Sequence, residues 1–222
     1  MKNPLLLAVF CSATFLLVAF YFVSKSLYKI RHKQTYRFRH MFPYELNYPS
    51  VFKDNIWGNL LFIFASLGVA AAYILNPYTS IYRIVAIIVS LVFTMVLICL
   101  LLMPIYYLKT HMVLSVLSMT LALALPLVNL FLAFSQYKIE TEEAKRILCI
   151  ISMVVSGILT GTMFLLIMNP KLTFKIYLDK EIDSSGNEVL KRPRIIYLAL
   201  NEWMAIFIYF LSPLGILLIS IL

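Results

Sequence analysis

Six long apolar runs alternate with polar segments along this 222-residue chain. They are Pro4–Val23, Ile56–Leu75, Ile84–Leu108, Met112–Phe134, Ile147–Met168 and Trp203–Leu222. A helix rises ~1.5 Å per residue, so each run reaches across the ~30 Å hydrocarbon core of a bilayer. The pattern predicts an all-α integral membrane protein, a six-helix transmembrane bundle in which residues 1–222 form a single transmembrane domain. Pro104 predicts a bend in the third span, and Pro213 or Gly215 a kink in the sixth.

The first run could be confused with a secretory leader. Its basic charge follows the apolar stretch, however, and no small-x-small cleavage site precedes Lys25, so the reading is a retained span.

Two polar inserts stand out, residues 24–55 and 169–202. In the first, Tyr36, Phe38 and His40 alternate with Arg37 and Arg39, which suits rings and guanidinium groups at a lipid headgroup layer. Pro43 and Pro49 then bracket Glu45 and Asn47, so that stretch reads as an ordered turn or lid, with Ser50 as a cap for the next helix. In the second insert, Leu172 to Asp179 alternates apolar and polar residues at strand period. A turn cluster, Asp183 to Asn187, follows, and Val189 to Ile196 can return. A small cytoplasmic β-hairpin between helices five and six is the expectation.

Charge orients the bundle. Fourteen of the nineteen Lys and Arg residues fall on one side if the first insert is cytoplasmic. Lys and Arg near span ends are retained inside, so both termini are expected outside, in a multi-pass plasma-membrane protein of bacterial type. Composition agrees with a membrane protein, with 62% hydrophobic and 13% charged residues against roughly half and a quarter in soluble domains. The net charge of +9 would suggest nucleic acid in a soluble protein. Placed beside spans, it suggests anionic inner-leaflet lipid instead, and no nucleic acid is expected.

Lys29, Arg31, Lys33, Arg37, Arg39, Arg192 and Arg194 are the candidate contacts for anionic lipid or a partner. Glu45 and Glu202 are candidates for contacts between the inserts. Glu202 could pair with Arg37 or Arg39, or serve with Asn201 at the start of span six as an ordinary capping acid. Ser156, Gly157 and Gly161 form a small-residue stripe on span five that permits close helix packing, within the chain or in a homo-oligomer.

Chemical signatures are sparse. None of the six apolar runs contains Asp, Glu, Lys, Arg or His, which disfavours carboxylate-coupled transport and leaves only a neutral path past Asn59 and Asn129. No G-x-S-x-G, H-E-x-x-H or glycine-rich phosphate loop occurs, and Cys11, Cys99 and Cys149 read as free, buried thiols without metal spacing. No catalytic residue, cofactor or metal is expected. The reading is a non-catalytic membrane subunit, an accessory or assembly component of an envelope transport or secretion complex with a membrane-protein partner. A transporter subunit for a neutral or lipid-like molecule and a membrane immunity or resistance protein are the alternatives.

Overall fold

The computed structural model describes residues 4–39, 41–47, 54–78, 80–102, 108–172, 179–182, 188–191, 193 and 195–220. Its long helices are α1 (Pro4–His32), α2 (Ile56–Ile74), α3 (Ile81–Leu102), α4 (Leu108–Ile139), α5 (Glu143–Ile167) and α6 (Tyr197–Leu211), with α6 followed directly by α7 (Pro213–Ser220). Taking α6 and α7 as one span, six helices are long and apolar enough to cross a membrane.

The break between α6 and α7 falls at Ser212–Pro213, one of the two expected kink positions. Proline has no N–H to continue the helical ladder. Pro126 is carried inside α4 without ending it. The expected bend at Pro104 and the expected cap at Ser50 lie outside the described residues.

α6 and α7 form the most buried span, and α1 and α5 are the most exposed. Trp203, Ile206, Tyr209 and Phe210 of α6 are packed away. Phe93 of α3 meets Tyr209 with ring centroids 4.7 Å apart, and Phe62 of α2 meets Phe20 of α1 at 5.0 Å. The outward face of α5 carries Ile150, Val154, Ile158 and Leu165. A helix apolar on its outer face needs lipid as its solvent.

Backbone pairing joins β1 (Asp179–Ile182) to β2 (Glu188–Lys191), antiparallel, with Asp179 opposite Lys191. The positions differ from the periodicity. β1 starts where the expected first strand ends. The alternating stretch 173–178 and the turn cluster 183–187 lie outside the described residues. β2 stops before Pro193, and α6 already begins at Tyr197.

Within the small-residue stripe on α5, Ser156 makes a close helix contact and the two glycines do not. A Cβ added at Gly161 would meet nothing within 4 Å, and one at Gly157 only Leu130 Cδ1 at 3.8 Å. Gly215 of α7 presses on Ser152 and Ser156 of α5, where an added Cβ would lie 3.1 and 3.0 Å from their hydroxyls. Gly68 faces Ala13 and Gly58 faces Ser24 along the α1–α2 seam. The i, i+4 pair that is closely approached on α5 is Ser152 and Ser156, and the glycines in close contact are on α2 and α7.

Candidate functional site at one end of the bundle

The C-terminal ends of α1, α3 and α5 and the N-terminal ends of α2, α4 and α6 gather at one end of the bundle. Three tertiary bonds show this. Asn47 donates to Leu101 O of α3 at 2.9 Å, Asn201 of α6 donates to Leu166 O of α5 at 3.2 Å, and His111 of α4 meets Glu202 of α6.

The first insert folds back over this end. Lys33 closes α1 in a left-handed conformation (φ 54°), an unusual state for a side chain with a Cβ. The chain then places Tyr36 beneath the surface. The Tyr36 hydroxyl lies 2.9 Å from Met41 O and 2.8 Å from Phe42 O, donating to one at a time, and accepts from Trp203 Nε1 at 3.0 Å. Burial pushes the Tyr36 phenol well above its usual range, so it stays a neutral donor. Next, a 3-10 turn, Pro43–Asn47, is pinned by Phe42 N–H donating to Glu45 Oε1 at 3.1 Å.

A second cluster anchors the other side of this segment. Asn55 donates to Asn47 Oδ1 at 2.7 Å and to Ser24 Oγ at 3.0 Å, all three residues being buried. Arg31 donates to Leu46 O at 2.8 Å and lies 3.8 Å from Asp54. The two polar inserts are joined directly, since Ile196 N–H donates to Arg39 O at 2.9 Å.

Beneath the lid lies the most unusual arrangement in the molecule. Glu202 is fully buried. Its Oε1 accepts from Ser115 Oγ at 2.6 Å and lies 3.0 Å from His111 Nε2. Its Oε2 is buried without a hydrogen-bond partner. His111 and Ser115 share a face because they are one helical turn apart on α4. Tyr44 and Phe42 stack edge-on against the His111 ring at 4.5 and 5.9 Å between centroids. Trp203, the neighbour of Glu202, is tied to the lid through Tyr36 and Met41 O.

This corrects the sequence reading in several places. Glu202 is not at a helix start, because α6 begins at Tyr197 with Ile196 before it, so the residue is no capping acid. Its partners are His111 and Ser115, while Arg37 and Arg39 are exposed. Ionisable groups are also present inside the spanning helices, because α4 and α6 begin before the apolar runs do. Tyr73 of α2 is buried and accepts from Asn129 Nδ2 at 2.8 Å. Cys149 is buried, whereas Cys11 and Cys99 lie on the helix surfaces; all three are free.

Of the other expected site residues, Lys29, Lys33, Arg37 and Arg39 are exposed, and Arg31 is held on the lid. Arg192, Arg194 and His40 lie outside the described residues. Glu45, expected to link the two inserts, accepts from Phe42 N–H within the first insert. No group of three His, Cys, Asp or Glu residues suited to a metal ion occurs among the described residues. Ser115 bonds the carboxylate and not the imidazole, so the three side chains do not stand in the serine–histidine–acid order of a hydrolase. No protein-family model, curated protein or solved structure matches the chain.

Proposed function

We propose that the protein is a non-catalytic membrane subunit, an accessory or assembly component of an envelope transport or secretion complex, that presents a rigid basic platform to a membrane-protein partner. One observation carries this reading, the backbone bond from Ile196 to Arg39 that joins the two polar inserts. The bond is reinforced by Trp203 donating into the first insert. Two unconnected loops would expose mobile charges. Clamped together, they hold Lys29, Lys33, Arg37 and Arg39 outward on an ordered support. Preorganised charge of this kind favours a specific acidic partner and steers its encounter.

The platform faces the cytoplasm, by the retention of Lys and Arg on that side, and lies close to anionic headgroups. The strand pair of the second insert is part of the same cytoplasmic face.

Replacing Lys29, Lys33, Arg37 and Arg39 with Glu tests the reading in native-lipid particles extracted with mild detergent. The expected result is loss of a stoichiometric partner with unchanged melting. Retention of that partner through the charge reversal would overturn the platform reading. Sidedness is read separately, with Lys33→Cys in a background lacking native cysteines. Labelling by an impermeant reagent in intact cells would place the platform outside.

A further inference from the structure

The partner platform makes no use of the buried Glu202–His111 pair. We propose that this pair is a binding site for one exchangeable proton, taken up at Glu202 Oε2, and that its occupancy controls how firmly the Tyr36–Asn47 lid is seated.

The geometry points to Oε2. Oε1 is already engaged by the Ser115 hydroxyl and faces His111 Nε2, so a proton there would displace existing donors. Oε2 has an open lone pair and is sealed from solvent. A buried oxygen without a donor can take a proton. Loading turns the Glu202 carboxylate into a carboxylic acid and so removes one negative charge from beneath the lid.

The lid feels this charge directly. The groups facing the site are His111 and Ser115 from α4, Glu45 and Tyr44 from the 3-10 turn, Tyr36 from the first insert and Tyr21 from α1 by way of Trp203. Glu45 acts electrostatically on Glu202, and among the described residues no Lys or Arg forms an ion pair with Glu202. The Glu202 carboxylate therefore repels the Glu45 carboxylate on the lid. Uptake of a proton from the aqueous side removes that repulsion. Loading seats the lid and unloading loosens it, so seating weakens as pH rises. The movable element is defined by Phe42 and Tyr44 on His111 and by Trp203 bonded to Tyr36.

Hydrogen exchange of residues 36–47 in the full-length protein in lipid nanodiscs, corrected for intrinsic rates, reads the seating. Protection should fall with rising pH by up to about tenfold per pH unit across the transition, the limit for one proton. Glu202→Gln, an isosteric stand-in for the loaded acid, should keep the lid seated at every pH. Glu45→Gln should reduce the pH response without loss of the fold, because its amide oxygen can still accept from Phe42. In the unmodified protein, infrared difference spectra should lose a protonated-carboxyl band over the same pH interval. Protection independent of pH, an undiminished response in Glu202→Gln, or no carboxyl band change in the interval would each overturn the proposal. The infrared and wild-type exchange arms stand even if the Glu202 variant fails to fold.

Discussion

Replacing Gly58 with Ala should be among the most damaging single-methyl additions in this protein. The new Cβ would sit 2.1 Å from Ser24 Oγ and 2.3 Å from Asn55 Oδ1, both closer than non-bonded atoms approach. Either side chain can turn away, but both are fully buried and hydrogen-bonded. Turning them breaks three bonds, the two between Asn55 and Ser24 and the one from Asn55 to Asn47, and leaves Asn47 held by Leu101 O. Hydrogen bonds between membrane helices average about 0.6 kcal/mol each, so three lost bonds cost about 2 kcal/mol. Overpacking adds roughly 1–3 kcal/mol. Ala gains up to about 1 kcal/mol over Gly in a helix, so a net loss of about 2–4 kcal/mol is expected.

Unfolding in mixed micelles, followed by circular dichroism, measures this loss. Gly161→Ala is the control, because nothing lies within 4 Å of its added methyl and stability should hold or rise slightly. Ser24→Ala combined with Gly58→Ala should be less destabilised than the sum of the two changes, since the first makes room for the second. Gly58→Ala within about 0.5 kcal/mol of wild type, or strict additivity of the pair, would refute the packing of the α1–α2 seam described above.

Gly215→Leu should destabilise by several kcal/mol, by forcing α7 off Ser152 and Ser156 and breaking the 2.7 Å bond from Ser152 to Gly215 O; the same micelle assay reads it. Tyr36→Phe should leave the bundle folded but raise protease cleavage within residues 33–47, because Trp203 loses one of its two acceptors and the Met41 and Phe42 carbonyls lose a donor; the cost is about 1–2 kcal/mol. Burial pushes the Tyr78 phenol up to about 12, and its hydroxyl donates to Ile219 O at the far end of the bundle. Its contribution is therefore complete below pH ~10 and lost as pH rises towards ~12, by about 1 kcal/mol at this partly exposed site, and Tyr78→Phe should flatten that alkaline decline in melting temperature.

Span number was legible because apolar runs of this length have few other uses. Helix ends were less so. α1 runs on to His32 and α4 begins at Leu108, because a helix continues past the hydrocarbon wherever propensity and packing allow. The close-packing glycines were only half visible. Spacing identified small residues on α5, but which helix presses on which depends on rotation, and the partner residue Gly215 sits one span away. The lid was foreseeable from Pro43 and Glu45, whereas its attachment to Trp203 joins residues 162 apart in sequence.

Glu202 shows what hydropathy conceals. Read along the chain, Asn201-Glu202 marks the point where a span meets water, since a charge there is usually solvated. The fold moves water away from that point. Tyr197 to Leu200 is already helical, with Leu198 and Ala199 buried, and the Tyr36–Asn47 segment closes over the end of α6. A polar residue at the nominal edge of an apolar run is thus placed inside by a loop that the run itself does not encode. His111 follows the same course at the start of α4, under Phe42 and Tyr44. The consequence separates two kinds of charge on one face of the protein. Lys29, Lys33, Arg37 and Arg39 are exposed on the outer surface of α1 and the lid, where solvent and salt screen them. Glu202 and His111 lie beneath it, unscreened, so a change of one unit of charge there acts on the lid at full strength. An outer basic surface is suited to meeting a partner, and an inner titratable pair to altering the surface that the partner meets.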